Sequence, residues 1–74
     1  LRAHRRMRER AVLERVRGGD RVIPDMVRAI YTRTDPRLHG AAALSVLAHL
    51  EDLVEKGQVT SDGPPSLAGT FFPA

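Results

Sequence analysis

The stretch HGAAALSVLAHLEDLVEKGQV, residues 39–59, carries the clearest helical pattern in the sequence. Its apolar residues recur at intervals of three and four, which predicts a helix over about residues 40–56 with one apolar face. Gly57 follows in the position where a glycine commonly ends a helix. The apolar face comprises Ala43, Val46, Leu47, Leu50, Leu53 and Val54.

Two further helices precede this one. The first is predicted over about residues 3–17, because Gly18-Gly19 stops it and basic side chains occupy its last turn. The second is predicted over about residues 24–33, because Pro24 suits a first helical position. Their inner faces contain Val12, Leu13 and Val16 in the first helix and Met26, Val27, Ile30 and Tyr31 in the second.

The remaining segments predict a short strand, a turn and a hairpin. Residues 21–23 favour a strand, and Leu38 is expected to plug the core from the turn between the second and third helices. Strands at 58–61 and 70–72 enclose a loop rich in Gly, Pro and Ser. The predicted fold is therefore mainly α with a small β-hairpin, a winged helix-turn-helix of three helices plus a wing, as a single domain over residues 1–74.

Length and composition limit the function classes. A chain of 74 residues buries only about 60% of its extended surface, so an enclosed active site is not expected within it. The sequence has no cysteine and no apolar run long enough for a membrane span, and we expect a cytoplasmic location and no membrane partner. Because the sequence begins at Leu1 rather than Met, directly before the first predicted helix, we expect a fragment of a longer polypeptide.

The net charge of +3 is unevenly distributed. Residues 1–17 contain seven Arg against Glu9 and Glu14, a local charge of +5, whereas residues 38–74 contain one Lys against four carboxylates, a local charge of −3. Basic character therefore belongs to the first helix.

Three segments together resemble a known family: HRRMRERAVLERV at 4–16, IPDMVRAIY at 23–31 and LHGAAALSVLAHLEDLVEKGQV at 38–59. They are similar to the C-terminal winged-helix domain of metallo-β-lactamase-fold hydrolases, in the branch related to β-lactamase-like protein 2 and glyoxalase II. From residue 60 onward the chain departs from that pattern, with a longer wing that lacks the usual basic strand.

The resemblance implies a parent hydrolase that binds two zinc ions through a His-x-His-x-Asp-His motif, which this chain does not contain. Members include an endoribonuclease acting on single-stranded RNA and enzymes that hydrolyse thioesters. The winged helix would be an accessory domain that packs on the N-terminal catalytic domain and helps to form the substrate cleft. It would hold no cofactor and catalyse nothing by itself.

Candidate contact residues lie mainly on the first helix. Arg6, Arg10 and Arg17 follow one line along it and are candidates for contact with RNA or an acidic substrate. Candidates for contact with the catalytic domain are Arg5, Met7, Glu9 and His49.

No catalytic or metal-binding residue is predicted. His4, His39 and His49 are separated by 35 and 10 residues, unlike the i, i+4 spacing of a zinc pair on a helix. Ser45 and Ser61 lack the sequence setting of a nucleophile.

Two other interpretations remain open, a DNA-binding domain of a transcription regulator and an interaction module whose basic helix binds an acidic protein surface. The outer face of the third helix counts against the first of these. It offers no Arg, Asn or Gln for base edges and three carboxylates that phosphates would repel. This face contains Ala41, Ser45, Ala48, Asp52 and Lys56, flanked by Glu51 and Glu55.

Overall fold

A computed structural model describes residues 2–74, and their side chains from residue 3 onward. Three helices are followed by a two-stranded antiparallel hairpin, in the order expected for a winged helix. The elements are α1 (Arg2–Arg17), α2 (Ile23–Ile30), a short 3₁₀ turn (Pro36–Leu38), α3 (His39–Glu55), β1 (Val59–Ser61) and β2 (Phe71–Pro73).

The double glycine ends α1 as its sequence predicts. The amide of Gly18 donates to the carbonyl of Glu14 at 2.9 Å, and Gly19 has a φ of 120°, which a side chain would disfavour. Asp20 then pairs with Arg15 at 2.8 Å, so the turn is also held by an ion pair.

The predicted strand at 21–23 is reduced to a single bridge. Val22 is extended and bridges Thr70, and the carbonyl of Arg21 accepts from the amide of Phe71 at 2.8 Å. Ile23 already belongs to α2, so the strand prediction was wrong for that residue. The bridge nevertheless attaches the segment before α2 to the wing.

Helix α2 is shorter than the predicted range of about 24–33. Tyr31 leaves helical geometry with φ −101° and ψ 48°, while its amide closes the last turn on Val27. Pro36 forces Asp35 into an extended conformation, and the chain turns before it rather than continuing the helix. The carboxylate of Asp35 caps the 3₁₀ turn by accepting from the amide of Arg37 at 2.9 Å.

Helix α3 begins and ends one residue earlier than the predicted range of about 40–56. The prediction that Leu38, just before this helix, fills the core was wrong. Leu38 is 57% exposed, and the buried side chain at this end of α3 is Ala42. A small side chain allows close approach of the neighbouring segments. At the other end Gly57 adopts a φ of 76°, and Gln58 donates to the carbonyl of Leu53 at 2.9 Å.

The wing is a hairpin in which Thr60 is paired with Phe72. Its second strand lies one residue later than predicted, because Pro73 is still paired, with Val59. The strand's inward side chain, Phe71, is fully buried and joins the wing to the helices.

One core connects all the elements. The helical side chains predicted to be inward are buried or half-buried, and Ala42 joins them although it was not predicted. Residues 3–7 of α1 are all exposed, so the first turns of this helix project beyond the core. The fully buried side chains are Val12, Val16, Met26, Val46, Leu50 and Phe71, with Ile23, Leu53 and Val59 almost so.

Candidate functional site

Helix α1 separates two open grooves on the surface. The first, the α1–wing groove, has a volume of about 520 Å³ and lies between α1, the end of α3 and the start of the wing. The second, the α1–α3 groove, has a volume of about 430 Å³ and lies between the first turns of α1, the outer face of α3 and the end of α2. Both are too open to enclose a substrate.

The α1–α3 groove brings together polar side chains from three helices. The guanidinium of Arg8 stacks on the ring of Tyr31 at 4.4 Å from its centroid, which links α1 to the end of α2. The groove is lined by His4, Arg5, Arg8, Tyr31, Ser45, Ala48, His49 and Asp52.

His49 has an altered protonation equilibrium within this groove. Partial burial lowers its pKa, and the positive charges of Arg5 and Arg8 act in the same direction. The carboxylates of Glu9 and Asp52 oppose the shift without cancelling it. The imidazole is therefore held mainly neutral at neutral pH, able to donate one hydrogen bond and accept another.

The α1–wing groove is basic on its α1 wall. Arg6, Arg10 and Arg17 line it together, as their alignment on the helix predicts. Lys56, from the end of α3, contacts both carboxylate oxygens of Glu9 at 3.0 and 3.1 Å and closes one side. The rest of the lining comprises Leu13, Glu14, Leu53 and Gln58.

Of the ten arginines whose side chains are described, three form ion pairs, and the three arginines of this groove are among the seven that do not. Arg15, Arg28 and Arg37 each form an ion pair with a nearby aspartate. Within the part of the chain whose side chains are described, Arg6, Arg10 and Arg17 form no such pair. Their donors are therefore available to an external acceptor.

The residues predicted to contact a catalytic domain do not form one cluster. Arg5 and His49 line the α1–α3 groove, whereas Glu9 lines the other groove and acts on His49 only through its charge. Met7 lines neither groove and is 68% exposed on α1. Their role in docking remains a prediction.

Sequence reasoning missed two contacts that shape the site. The stacking of Arg8 on Tyr31 and the pairing of Glu9 with Lys56 join residues far apart in the chain. Only the spatial arrangement of the helices brings these pairs together, and no local pattern in the sequence signals it.

The outer face of α3 is poorly placed to read DNA. Ser45, Ala48 and Asp52 form a wall of the α1–α3 groove, beside the projecting turns of α1. A recognition helix has to enter the major groove as a ridge and offer donors to base edges. Here the middle of that face lines a concavity, and the carboxylates lie towards the end of the helix.

The residues do not fit a metal centre. No group of three or more His, Cys, Asp or Glu side chains among those described could hold a metal ion. His4 and His49 share a groove, but His39 lies at the other end of α3. In the same part of the chain, no helix is both long and apolar enough to cross a membrane.

Comparison with known proteins identifies the domain. Residues 23–65, more than half of the chain, match the family described as beta-lactamase associated winged helix domain. Searches of the curated proteins and of the solved structures gave no significant match. The matched region contains α2, α3 and the first strand of the wing, in the order that the structure shows. The chain belongs to the family of beta-lactamase associated winged helix domains.

Proposed function

We propose that this chain is the accessory C-terminal domain of a zinc-dependent metallo-β-lactamase-fold hydrolase, on which it packs and whose substrate cleft it helps to form. The observation that carries the proposal is its membership of a winged-helix family associated with beta-lactamase. Zinc and the reaction belong to the hydrolase domain. This domain contributes surface and charge.

The α1–α3 groove is the docking surface in this proposal. It is concave and polar, and it lies beside the first turns of α1, which extend beyond the domain's own core. Arg5 and His49 lie in this groove, and the exposed Met7 offers an apolar contact on the same projecting turns. A helix with exposed side chains on several faces suits a position between two domains.

The RNA or acidic substrate implied by the resemblance would meet this domain through Arg6, Arg10 and Arg17. This assignment is supported by two observations: the three guanidinium groups line one groove, and among the described side chains they form no ion pair. Binding of a polyanion there would weaken steeply with salt.

The alternative function, a DNA-binding domain of a transcription regulator, is disfavoured by the outer face of α3. A phosphate backbone would be repelled by Glu51, Asp52 and Glu55, all exposed on or beside that face. Family membership also associates the chain with beta-lactamase-type proteins.

The first test is the reading frame that encodes this chain. We expect a His-x-His-x-Asp-His motif upstream, in a metallo-β-lactamase-fold domain. A dimerisation or ligand-sensing domain in that place would contradict the proposal and favour the regulator.

The second test measures docking directly. The hydrolase domain, expressed separately, is titrated with this chain by isothermal calorimetry. Arg5→Ala combined with His49→Ala is expected to weaken binding at least tenfold, whereas Arg33→Ala, an exposed residue outside both grooves, leaves it unchanged. Equal affinity of the double variant and the unchanged chain would exclude the α1–α3 groove as the docking surface.

A further inference from the structure

We infer that the α1–wing groove binds a short acidic peptide segment of a separate partner protein in extended conformation, through Arg6, Arg10 and Arg17. This surface lies on the other side of α1 from the groove assigned to the hydrolase domain, so the inference stands whether or not that domain docks there. It gives the three arginines that the resemblance offers to RNA or an acidic substrate a peptide ligand in its place. It specifies the ligand chemistry that the three unpaired guanidinium groups fit.

The three arginine side chains are aligned along one face of α1. At 100° per residue, positions 6, 10 and 17 fall within about 40° of one another around the helix axis. All three side chains are exposed and line the same groove. They therefore form a single row parallel to α1.

The groove also carries positive charge that its own carboxylates do not balance. Lys56 neutralises Glu9, since both carboxylate oxygens of that residue contact its ammonium group. The three arginines then face only Glu14 among the lining carboxylates. The groove keeps a net positive charge that only an added anion would compensate.

The spacing of the arginines along the row suits an extended peptide. A rise of 1.5 Å per residue separates Arg6 from Arg10 by about 6 Å and Arg10 from Arg17 by about 10 Å. An extended peptide advances about 3.3 Å per residue and turns every second side chain to the same face, so carboxylates two residues apart match Arg6 and Arg10. The third carboxylate on that face near Arg17 lies four residues further, about 13 Å, and the long arginine and glutamate side chains span the remaining difference of about 3 Å. Arginine pairs well with carboxylates because its fork of donors can donate to both oxygens, as Arg37 does here from Nε to Oδ1 of Asp35 at 3.3 Å and from Nη2 to Oδ2 at 2.8 Å.

The composition of the lining distinguishes a peptide from a nucleic acid. Proteins that hold single-stranded nucleic acids combine positive charge with aromatic side chains on which bases stack. The lining of this groove contains no Phe, Tyr or Trp. Gln58, at the wing end, offers an amide that matches the backbone of an extended peptide.

The test is fluorescence anisotropy with a labelled, blocked heptapeptide carrying glutamate at its first, third and seventh positions, which share one face of an extended chain, and alanine elsewhere. The same peptide with glutamines serves as the uncharged control. We expect binding of the glutamate peptide that weakens with added salt, and no measurable binding of the glutamine peptide.

Matched variants locate the binding surface. Arg6→Gln with Arg10→Gln and Arg17→Gln is expected to weaken binding about tenfold or more, since three ion pairs are lost. The control, Arg28→Gln with Arg33→Gln and Arg37→Gln, removes the same charge from exposed positions outside the groove and should change the affinity less than about twofold. Arg10→Gln alone should weaken it about threefold, which keeps the test valid if the triple variant folds poorly.

Two results would overturn the inference. Equal weakening by both triple variants would mean that the peptide responds only to net charge. Tighter binding of a single-stranded oligonucleotide of the same charge, lost in the groove variant, would assign the row to nucleic acid instead.

Discussion

Leu50 and Leu44 show how differently two leucines of one helix contribute to stability. Leu50 is fully buried at the centre of α3, whereas Leu44 is 58% exposed. We expect Leu50→Ala to lower the free energy of unfolding by about 2–5 kcal/mol, because it leaves a cavity in the core. A domain of this size has only a few kcal/mol to lose, so the variant should be largely unfolded.

Urea unfolding followed by circular dichroism tests this expectation. Leu44→Ala, the matched control, should change the free energy of unfolding by only about 0.5 kcal/mol. A Leu50→Ala variant as stable as the Leu44→Ala control would show that the assigned core face of α3 is wrong.

His49 makes the stability depend on pH. Because burial lowers its pKa in the folded state, the unfolded chain binds the proton first as the pH falls below about 6.5. The folded state is therefore favoured above that pH and loses stability as the pH falls through the lower pKa of folded His49. His49→Gln should remove this part of the pH dependence, which begins as the pH falls through about 6.5 and levels off below the lower pKa of folded His49.

Nuclear magnetic resonance gives the pKa itself. The ring protons of His49 should titrate below the value of the same residue in urea-unfolded chain. Titration at or above the unfolded value would mean that Glu9 and Asp52 outweigh burial.

At the scale of elements, α1 has two parts with different roles. Its second half supplies Val12, Leu13 and Val16 to the core, while residues 3–7 are exposed. Deleting residues 1–7 should therefore change the free energy of unfolding by less than about 1 kcal/mol. The same deletion should abolish docking to a hydrolase domain, since it removes Arg5 and Met7.

Thermal unfolding of the shortened chain, compared with that of the full chain, tests the expectation that the deletion changes stability only slightly. Loss of cooperative unfolding would show that the projecting turns support the core.

The ends of the helices show where local sequence was sufficient to predict a boundary. Gly18-Gly19 and Gly57 ended α1 and α3 within about one residue of the predicted positions, because a left-handed backbone conformation is a local property. The end of α2 was misplaced because Tyr31 to Asp35 contain no such residue. That helix ends at Ile30, where Tyr31 leaves helical geometry, and Pro36 restricts only Asp35, further along the chain.

At the scale of the whole molecule, the charge gradient of the sequence becomes a division of surfaces. The basic residues of α1 line both grooves, whereas Glu51, Asp52 and Glu55 occupy the exposed face of α3. This division suits the accessory role that we propose, in which separate surfaces of the domain bind different partners.

Added zinc provides a measurement at this scale. A ligand that binds only the folded state raises the melting temperature. Since no group of side chains among those described could hold a metal, the melting temperature should be the same with zinc and with a chelator. A zinc-dependent rise that the chelator reverses would reveal a site that the described residues do not account for.

The sequence by itself determined the order of elements, most of the core and the row of arginines. Each of these follows from helical periodicity, glycine positions or spacing, which act over a few residues. The family resemblance proposed from the same residues is supported by the match over 23–65.

Only the tertiary structure decided which side chains share a groove. Arg5 and His49 are separated from Glu9 and Arg10 because α1 crosses α3 between two concavities, and that crossing depends on packing between distant segments. The burial of Ala42 and the exposure of Leu38 have the same origin. Burial depends on which surface a neighbouring element covers, and a local pattern carries no information about that neighbour.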